Sequence, residues 1–425
     1  MLKKIQNYIF TVSDLFFPLA AFFILAQFND DFVIAQSGRK MIYIYSVQLF
    51  FIVCICFYLF QLFKKFRIKI NDAYLKNIGL FVFTIILIQA ISTARGLLIR
   101  QVERPIIAYL TILFFIWYYF VIFFSYKSFK TIRHIKIFMT IIFIYLICYC
   151  IYYLSSIWIF NNRFLFTPLT QGTEYWSNST ALFFMPLFFF VFGFFNEQNL
   201  KKKLLFIIPL ILLGLCSIYS YSRPALITLH YYLAFLIILK IRGWKNIVAG
   251  IIIWIVLLFF ITQIQGIKNY IEKTFEGNNE IRVIFLPYSE KYINVNDDIY
   301  NKIDRAERIV SYWGEYPIFG LGVTGAGFID SQWFKLLGET GIIGILTYLF
   351  FFAYLFRFTA KIKRNCADSF LRGIIAGFRC YIGAVIILSF FMNTFLFLIF
   401  LIIFGILTAL ILRINFILTA EANKI

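Results

Sequence analysis

Histidine is almost absent from this chain, which has two histidines in 425 residues. His134 lies in a basic segment and His230 in an apolar run, so a His-based metal cluster and a Ser-His-Asp triad are excluded. Charged residues are also scarce, at 14% of the chain. Acid, base and charge stabilisation must therefore come from a few Asp, Glu and Arg side chains, and neither a metal nor a cofactor is expected.

Seven cysteines are present, but their positions do not indicate a disulfide framework. They lie in apolar runs or beside basic segments, and the long polar segment 265–335 contains none of them. A structural disulfide or a zinc site is therefore not expected. The C-x-C pairs Cys54/Cys56 and Cys148/Cys150 have no second ligand pair, so we interpret them as small apolar residues of helices.

Hydrophobic sequence is abundant, with 62% hydrophobic residues, 21% aromatic residues and a mean hydropathy of +0.85. The apolar residues form runs of roughly 17 to 25 residues, the length that a helix needs to cross about 30 Å of hydrocarbon. We predict one all-α polytopic membrane domain over residues 1–425, with about twelve transmembrane helices. The predicted spans lie near 6–27, 41–63, 77–94, 105–125, 137–160, 180–196, 204–221, 224–239, 246–264, 336–356, 373–391 and 394–412.

Lysine and arginine cluster in every second loop, and this pattern predicts the orientation, because basic residues are disfavoured in short translocated loops. With the N-terminus inside, all of these clusters are cytoplasmic and both termini are cytoplasmic. The net charge of +20 then reflects topology, and no nucleic-acid partner is expected. The clusters are Lys3/Lys4, Lys64/Lys65/Arg67/Lys69, Lys127/Lys130/Arg133/Lys136, Lys201/Lys202/Lys203, Lys240/Arg242/Lys245 and Lys361/Lys363/Arg364.

One long extracytoplasmic loop, 265–335, is predicted between spans nine and ten. Asp297 and Asp298 can cap an amphipathic helix that runs to about Trp313 and either lies in the membrane interface or packs on the bundle. Its predicted apolar stripe consists of Ile299, Ile303, Ala306, Val310 and Trp313, with Arg305 and Arg308 off the stripe and facing an aqueous cleft. Four glycines follow, at positions 320, 322, 325 and 327, and predict a flexible or tightly turning loop that is not a P-loop.

Several arginines fall on the predicted outer side, where the distribution rule should deplete them. A guanidinium group suits phosphate and pyrophosphate because its planar fork donates paired, charged hydrogen bonds. Arg223 carries most weight, since it interrupts two apolar runs at an outer membrane boundary, although it can instead mark a helix end. The others can equally belong to solvated turns. The outer arginines are Arg95, Arg100, Arg104, Arg163, Arg223, Arg305 and Arg308.

Two acidic residues near the tenth predicted span are candidates for acid–base chemistry. Asp330 follows the glycines, and Glu339 lies in the first turns of the span. Asp330 can act as a general base or as a helix N-cap, and Glu339 can contact substrate or make a structural hydrogen bond. The pattern alone leaves both alternatives open.

At these residues the chain resembles the O-antigen polymerase and O-antigen ligase superfamily of membrane proteins. One matching motif is Ser222-Arg223-Pro-Ala-Leu at an outer helix boundary. The other is Arg308-x4-Trp313-x3-Pro317-x2-Gly320-x-Gly322, followed by Asp330-Ser-Gln-Trp and then Glu339-Thr-Gly341. The match covers roughly residues 200–360. It implies a fold like that of C-type glycosyltransferases, in the bacterial cytoplasmic (inner) membrane.

The resemblance also implies an activity, which is joining of repeat units linked to undecaprenyl pyrophosphate on the outer face. Ligases of the superfamily have histidine and asparagine where this chain has Asp330-Ser331, and this difference favours a polymerase over a ligase. The implied partners are the lipid-linked oligosaccharides, the lipid bilayer, a chain-length regulator and a flippase. The implied catalytic residues are Asp330, Arg223 and Arg308, and the implied substrate-binding residues are Arg305, Arg95, Arg100, Arg104, Arg163, Glu339 and Trp313.

Other functions remain open. A lipid-linked oligosaccharide flippase should place ionisable residues within several spans, and here Asp14 and His230 are nearly the only ones. A metal-dependent glycosyltransferase would use the acidic pair Asp30/Asp31, but the short first outer loop favours a solvated pair. A ligase-type glycosyltransferase is the third alternative.

Overall fold

The computed structural model describes the chain in separate segments. The described residues are 15, 17–19, 22, 31–37, 40–45, 72–99, 102, 105–160, 175–219, 223–240, 307–326, 331–391 and 398–422. Long helices dominate these segments. Within a helix most backbone polar groups pair inside the same element, which suits a lipid environment.

Nine helices of 18 residues or more are present in these segments. They are α1 (Ala73–Leu98), α2 (Pro105–Ser128), α3 (Ile132–Phe160), α4 (Tyr175–Asn196), α5 (Leu200–Tyr219), α6 (Arg223–Lys240), α7 (Gln332–Asn365), α8 (Ser369–Leu388) and α9 (Leu398–Ala422). A shorter helical stretch covers residues 307–315. Asp72 caps α1 and Asp368 caps α8, each by accepting backbone N–H bonds of the first turn.

Over the residues that the structure describes, a helix coincides with each of the predicted spans near 77–94, 105–125, 137–160, 180–196, 204–221, 224–239, 336–356, 373–391 and 394–412. Seven stretches within these helices are long and apolar enough to cross a membrane, and the chain is an α-helical membrane protein. The predicted spans near 6–27 and 246–264 lie largely or wholly outside the described residues. The last helix continues to Ala422, about ten residues beyond the predicted end of its span.

A small antiparallel hairpin precedes the helices, formed by β1 (Asp31–Ser37) and β2 (Lys40–Tyr45). The predicted second span was placed from residue 41, so its first residues are strand and the predicted boundary is wrong there. Met41-Ile-Tyr-Ile-Tyr is rich in β-branched and aromatic residues, which favour strands as much as apolar helices. The remainder of that predicted span is outside the described segments.

The core of the bundle is the contact between α4 and α8, where glycines let two backbones approach closely. A Cβ added at Gly193 would lie 2.6 Å from the carbonyl oxygen of Ala376, and one at Gly377 would lie 2.5 Å from that of Phe190. Small residues serve this purpose at helix contacts in membranes. Phenylalanines of α4 fill the space around the contact, with Phe184, Phe189 and Phe190 at most 2% exposed.

The helix ends that carry basic residues come together at one end of the bundle. Lys136 of α3 pairs with Asp368 at 2.6 Å, and Lys363 of α7 pairs with Glu197 at 2.7 Å. Gln198 donates from Nε2 to the Ser369 carbonyl oxygen at 3.0 Å. Residues predicted to share the cytoplasmic side are therefore neighbours in space, and we call this the basic end. The opposite end carries the candidate site.

Candidate functional site

Helix α7 is broken at Gly341, whose φ of 63° and ψ of −160° are not helical. The break frees backbone groups, and an adjoining loop satisfies them. Leu321 N–H donates to the Gly338 carbonyl at 2.8 Å, and Gly322 N–H donates to the Glu339 carbonyl at 2.9 Å. Beyond the break, Ile342 N–H donates to the Pro317 carbonyl at 2.9 Å. Irregular backbone at membrane depth is stable only with such internal partners.

The loop over residues 316–326, which we call the glycine loop, is tightly turning. Gly320 and Gly322 have φ values of 63° and 91°, a left-handed conformation that glycine adopts without steric cost. A Cβ at Gly320 would lie 2.5 Å from the Gly338 carbonyl oxygen, and one at Gly322 would lie 2.8 Å from that of Ser92. Of the two predicted behaviours of these glycines, the structure therefore shows the tight turn for residues 320–326.

Glu339 lies at the break and holds the glycine loop. Its carboxylate accepts the Thr324 N–H at 2.7 Å, and Lys335 Nζ is 3.8 Å from the same oxygen. The residue is 3% exposed. A buried carboxylate needs charged and hydrogen-bonding partners of this kind. These contacts match the structural alternative for Glu339, and direct contact with substrate stays a prediction.

Arg95, in the last turn of α1, contacts the glycine loop from the other side. Its Nη1 donates to the Gly320 carbonyl oxygen at 3.3 Å, and its guanidinium carbon lies 4.8 Å from the centre of the Tyr316 ring. Nearby, the Thr93 hydroxyl oxygen accepts the Val323 N–H at 3.2 Å. The outer end of α1 and the break in α7 thus enclose the loop between them.

The helical stretch 307–315 leads into the glycine loop and differs from its predicted pattern. Ile309, which is not on the predicted stripe, is 1% exposed, whereas Val310 and Trp313 are 51% and 37% exposed. Ile309 is buried because it packs over Gly338, where an added Cβ would lie 3.3 Å from its Cγ2. The prediction that Val310 and Trp313 might pack on the bundle is wrong. Their exposure leaves the membrane interface as the predicted location, and Arg308 is exposed beside them.

The start of α6 reaches the same end of the bundle as the glycine loop. Helix α5 begins beside the basic end and rises about 30 Å over its length. The few residues between Tyr219 and Arg223 form a link that is too short to bring the chain back to the basic end. Helix α8 runs the same way from Ser369, and its cap residue Ser389 accepts the Gln332 N–H at 2.9 Å. Arg223 and the start of α7 therefore lie at one end.

A contact between α6 and α8 shows how far the starts of α6 and α7 lie along the axis of the bundle. Tyr232 of α6 packs on Gly383 of α8. At about 1.5 Å per residue, Arg223 lies roughly 13 Å outward from Tyr232, and Ser389 lies roughly 9 Å outward from Gly383. Arg223 and Ser331, the residue after Asp330, thus lie at similar levels along the bundle.

The predicted site residues divide into four groups. Arg95 and Glu339 are brought together by the glycine loop, and Arg308 and Trp313 lie on the helical stretch that precedes it. The backbone of Arg223 is described at the start of α6, but its side chain is not. The residues outside the described segments are Asp330, Arg100, Arg104, Arg163 and Arg305.

Three residues of the site were not predicted from the sequence. Thr93 and Lys335 contact the loop or its carboxylate, and Gly341 breaks α7. The spacing of Lys335 and Glu339 is the i,i+4 spacing of a helical ion pair and was a usable sign. Gly341 follows Glu339-Thr340 within a glycine-rich stretch, and the sequence does not show which glycine of that stretch breaks the helix.

The chain has no match among protein-family models or among curated proteins. Its functional interpretation therefore depends on the motifs and on the geometry around the break in α7.

Proposed function

We propose that this chain is a polysaccharide polymerase that joins repeat units linked to undecaprenyl pyrophosphate on the outer face of a bacterial cytoplasmic membrane. The product would be O-antigen, capsule or exopolysaccharide. One observation carries the proposal: the two motif segments, which begin at Arg223 and Arg308, lie at the bundle end away from the basic loops. Under the positive-inside rule that end faces outward.

The proposed reaction needs a nucleophile, a base and neutralisation of a leaving group. A hydroxyl oxygen of the incoming unit attacks the reducing-end carbon of the growing chain, and the bond from that carbon to the pyrophosphate oxygen breaks. The hydroxyl proton passes to the Asp330 carboxylate. Arg223 and Arg308 neutralise the charge that develops on the departing pyrophosphate-lipid, because paired guanidinium hydrogen bonds fit phosphate oxygens.

The contacts around α7 provide the rigid support that such a reaction needs. Glu339 and Arg95 each bind the backbone of the glycine loop, which connects the Arg308 segment to the start of α7. Holding reacting groups in place contributes strongly to catalysis. In this proposal Glu339 is a positioning residue, and the remaining outer arginines, Arg100, Arg104, Arg163 and Arg305, with Trp313, contact the lipid-linked sugar or its pyrophosphate.

The proposal includes a topology of about twelve spans. Both termini are cytoplasmic, residues 265–335 form the large outer loop, and the architecture is that of a C-type glycosyltransferase. No resident metal or cofactor takes part in the proposed reaction. A chain-length regulator and a flippase would be its functional partners.

In the decisive experiment, purified protein is incubated with a lipid-linked repeat unit as its only substrate. We expect a ladder of longer chains without lipid A core, nucleotide or added divalent metal, and the ladder should persist in EDTA. Asp330→Asn should slow extension by on the order of 10² to 10⁴, because it removes a general base but keeps the side-chain shape.

Different outcomes separate the alternatives. A ligase would consume preformed chains only when a separate acceptor is supplied, and a flippase would form no glycosidic bond in detergent. Loss of the ladder in EDTA would contradict leaving-group stabilisation by arginine. If Asp330→Asn slows chain extension by less than about tenfold, Asp330 does not act as the general base.

A further inference from the structure

A cleft lined mainly by cations opens at the basic end of the bundle. Its volume is about 430 Å³, and it lies between the last turns of α7, the first half of α8 and the segment after α4. A single water takes up roughly 30 Å³ of liquid, so the cleft holds a group of many atoms. Its described lining residues are Glu197, Ala360, Lys363, Arg364, Arg372 and Arg379.

The cleft carries an excess of positive charge. Glu197 is the one acidic residue of the described lining, and it already pairs with Lys363 at 2.7 Å. The Nε atoms of Arg372 and Arg379 are buried and make no hydrogen bond within the part of the chain that the structure describes. A buried donor without an acceptor is costly, so these two Nε–H groups, together with the excess of positive charge, favour an anionic ligand in the cleft.

Arg379 is unusual because it lies within a membrane-spanning helix. It follows Ser369, the first residue of α8, by ten positions, which corresponds to roughly 15 Å along the axis. It is an ionisable residue within a predicted span, in addition to Asp14 and His230. Charged residues at such depth ordinarily have partners or bind ligands.

We propose that this cleft binds a phosphate-bearing anion, with the headgroup of a phospholipid that carries two phosphates as the favoured ligand. The three arginines of the lining carry three positive charges, one more than the two negative charges of such a headgroup, and each guanidinium can donate paired hydrogen bonds to one phosphate. Basic pockets between helices at the cytoplasmic face suit headgroups of this kind. Free pyrophosphate has the same chemistry and is the alternative source. The site is independent of the proposed polymerase reaction.

The test measures binding to delipidated, full-length protein in detergent, so failure of the polymerase assay does not affect it. The probes are cardiolipin, phosphatidylglycerol, phosphatidylcholine and inorganic pyrophosphate, followed by native mass spectrometry and thermal unfolding. The variants are the double change Arg372→Gln/Arg379→Gln and the single change Arg364→Gln, whose side chain is exposed. Lys361→Gln is the matched control, because it removes an exposed cation near the end of the same helix without touching the cleft lining.

We expect cardiolipin to bind best and to raise the unfolding temperature. The double variant should bind it at least about tenfold more weakly, Arg364→Gln should lie between, and Lys361→Gln should stay within about twofold of the unaltered protein. Binding of pyrophosphate without cardiolipin would keep the phosphate site and overturn the lipid assignment. If the double variant does not fold, the cardiolipin affinity of Arg364→Gln tests the proposal by itself. Equal cardiolipin binding by Arg364→Gln, Lys361→Gln and the unaltered protein would overturn the proposal.

Discussion

Arginine occupies two kinds of position that membrane proteins ordinarily avoid. Arg95 and Arg223 lie at helix ends predicted to face outward, and Arg379 lies inside a span. Arg95 has identified partners, the Gly320 carbonyl and the Tyr316 ring, so part of its role is structural. Exposed Arg308 precedes the loop that Arg95 holds. The arginines at this end therefore divide into those that build the site and those proposed to act in it.

Replacing Arg223 or Arg308 with alanine should abolish chain extension while protein abundance in the membrane stays unchanged. Lysine should restore little activity at either position, because a point charge cannot reproduce paired hydrogen bonds to pyrophosphate. The measurement is polymer length in cells and in the purified assay. Lys202→Ala is the control, since it removes an exposed cation from the start of α5 at the basic end. Normal polymer length in Arg223→Ala would make that arginine a helix-end marker only.

At the scale of elements, the break in α7 organises the candidate site. A continuous helix would satisfy its own carbonyls and leave the glycine loop without partners for Leu321 and Gly322. Because Gly341 has a left-handed conformation, the chain can leave and re-enter the helix within one residue. Glu339 is thereby presented to the loop at the point where it turns.

Gly341→Ala should undock the glycine loop and lower activity strongly. An added Cβ would clash with the Ile318 carbonyl, and alanine at φ 63° and ψ −160°, a region that essentially only glycine occupies, costs on the order of 1–3 kcal/mol before any clash. Limited proteolysis and cysteine accessibility at Thr324 would report the undocking. Gly314→Ala is the matched control, because an added Cβ there meets nothing within 4 Å. Equal protease resistance in both variants would show that the break does not depend on glycine.

At the scale of the whole molecule, the two ends of the bundle differ in chemistry. The basic end carries ion pairs such as Lys136–Asp368, and the other end carries the broken helix and the glycine loop. This polarity gives a topology test. Cysteine labelling should place residues 67, 130, 202, 242 and 363 inside and residues 165 and 290 outside. A cytoplasmic residue 290 would exclude the proposed reaction, which uses donors on the outer face.

The ion pair between Lys136 and Asp368 predicts a pH dependence of stability. Burial raises the pKa of Asp368, but the hydrogen bond from Lys136 and those from two backbone N–H groups outweigh it and hold the pKa below its ordinary value. The folded-state pKa is depressed, so the stabilisation is present above the unfolded value of about 4 and is lost as pH falls through the folded value.

Thermal unfolding in detergent should show this dependence. The difference in unfolding temperature between the unaltered protein and Asp368→Asn should be constant from about pH 7 to pH 5 and shrink below about pH 4. Asparagine keeps a cap for α8, so the comparison isolates the charge. A difference that does not change with pH would mean that the charge of Asp368 contributes nothing to stability.

The sequence by itself determined the membrane class and the helices, because a run of about twenty apolar residues has one stable solution in lipid. It also marked Arg308, Glu339 and the glycines as notable. It did not reveal that residues 41–45, at the start of the predicted second span, belong to strand β2, since β-branched and aromatic residues suit both a strand and an apolar helix. Nor did it separate the roles of Glu339, because partners so far along the chain as Thr324 depend on how the loop folds back.

Only the tertiary structure decided where the polar groups meet. Ile309 is buried and Val310 exposed because the helical stretch 307–315 packs on Gly338, a contact that periodicity cannot show. The break at Gly341 exists because the glycine loop supplies the hydrogen bonds that the helix gives up. The cleft around Arg372 and Arg379 forms where α7, α8 and the segment after α4 meet, a juxtaposition that the sequence of one helix alone does not show. Apolar length is a local property of the chain, whereas satisfying a buried polar group requires partners that folding brings from elsewhere.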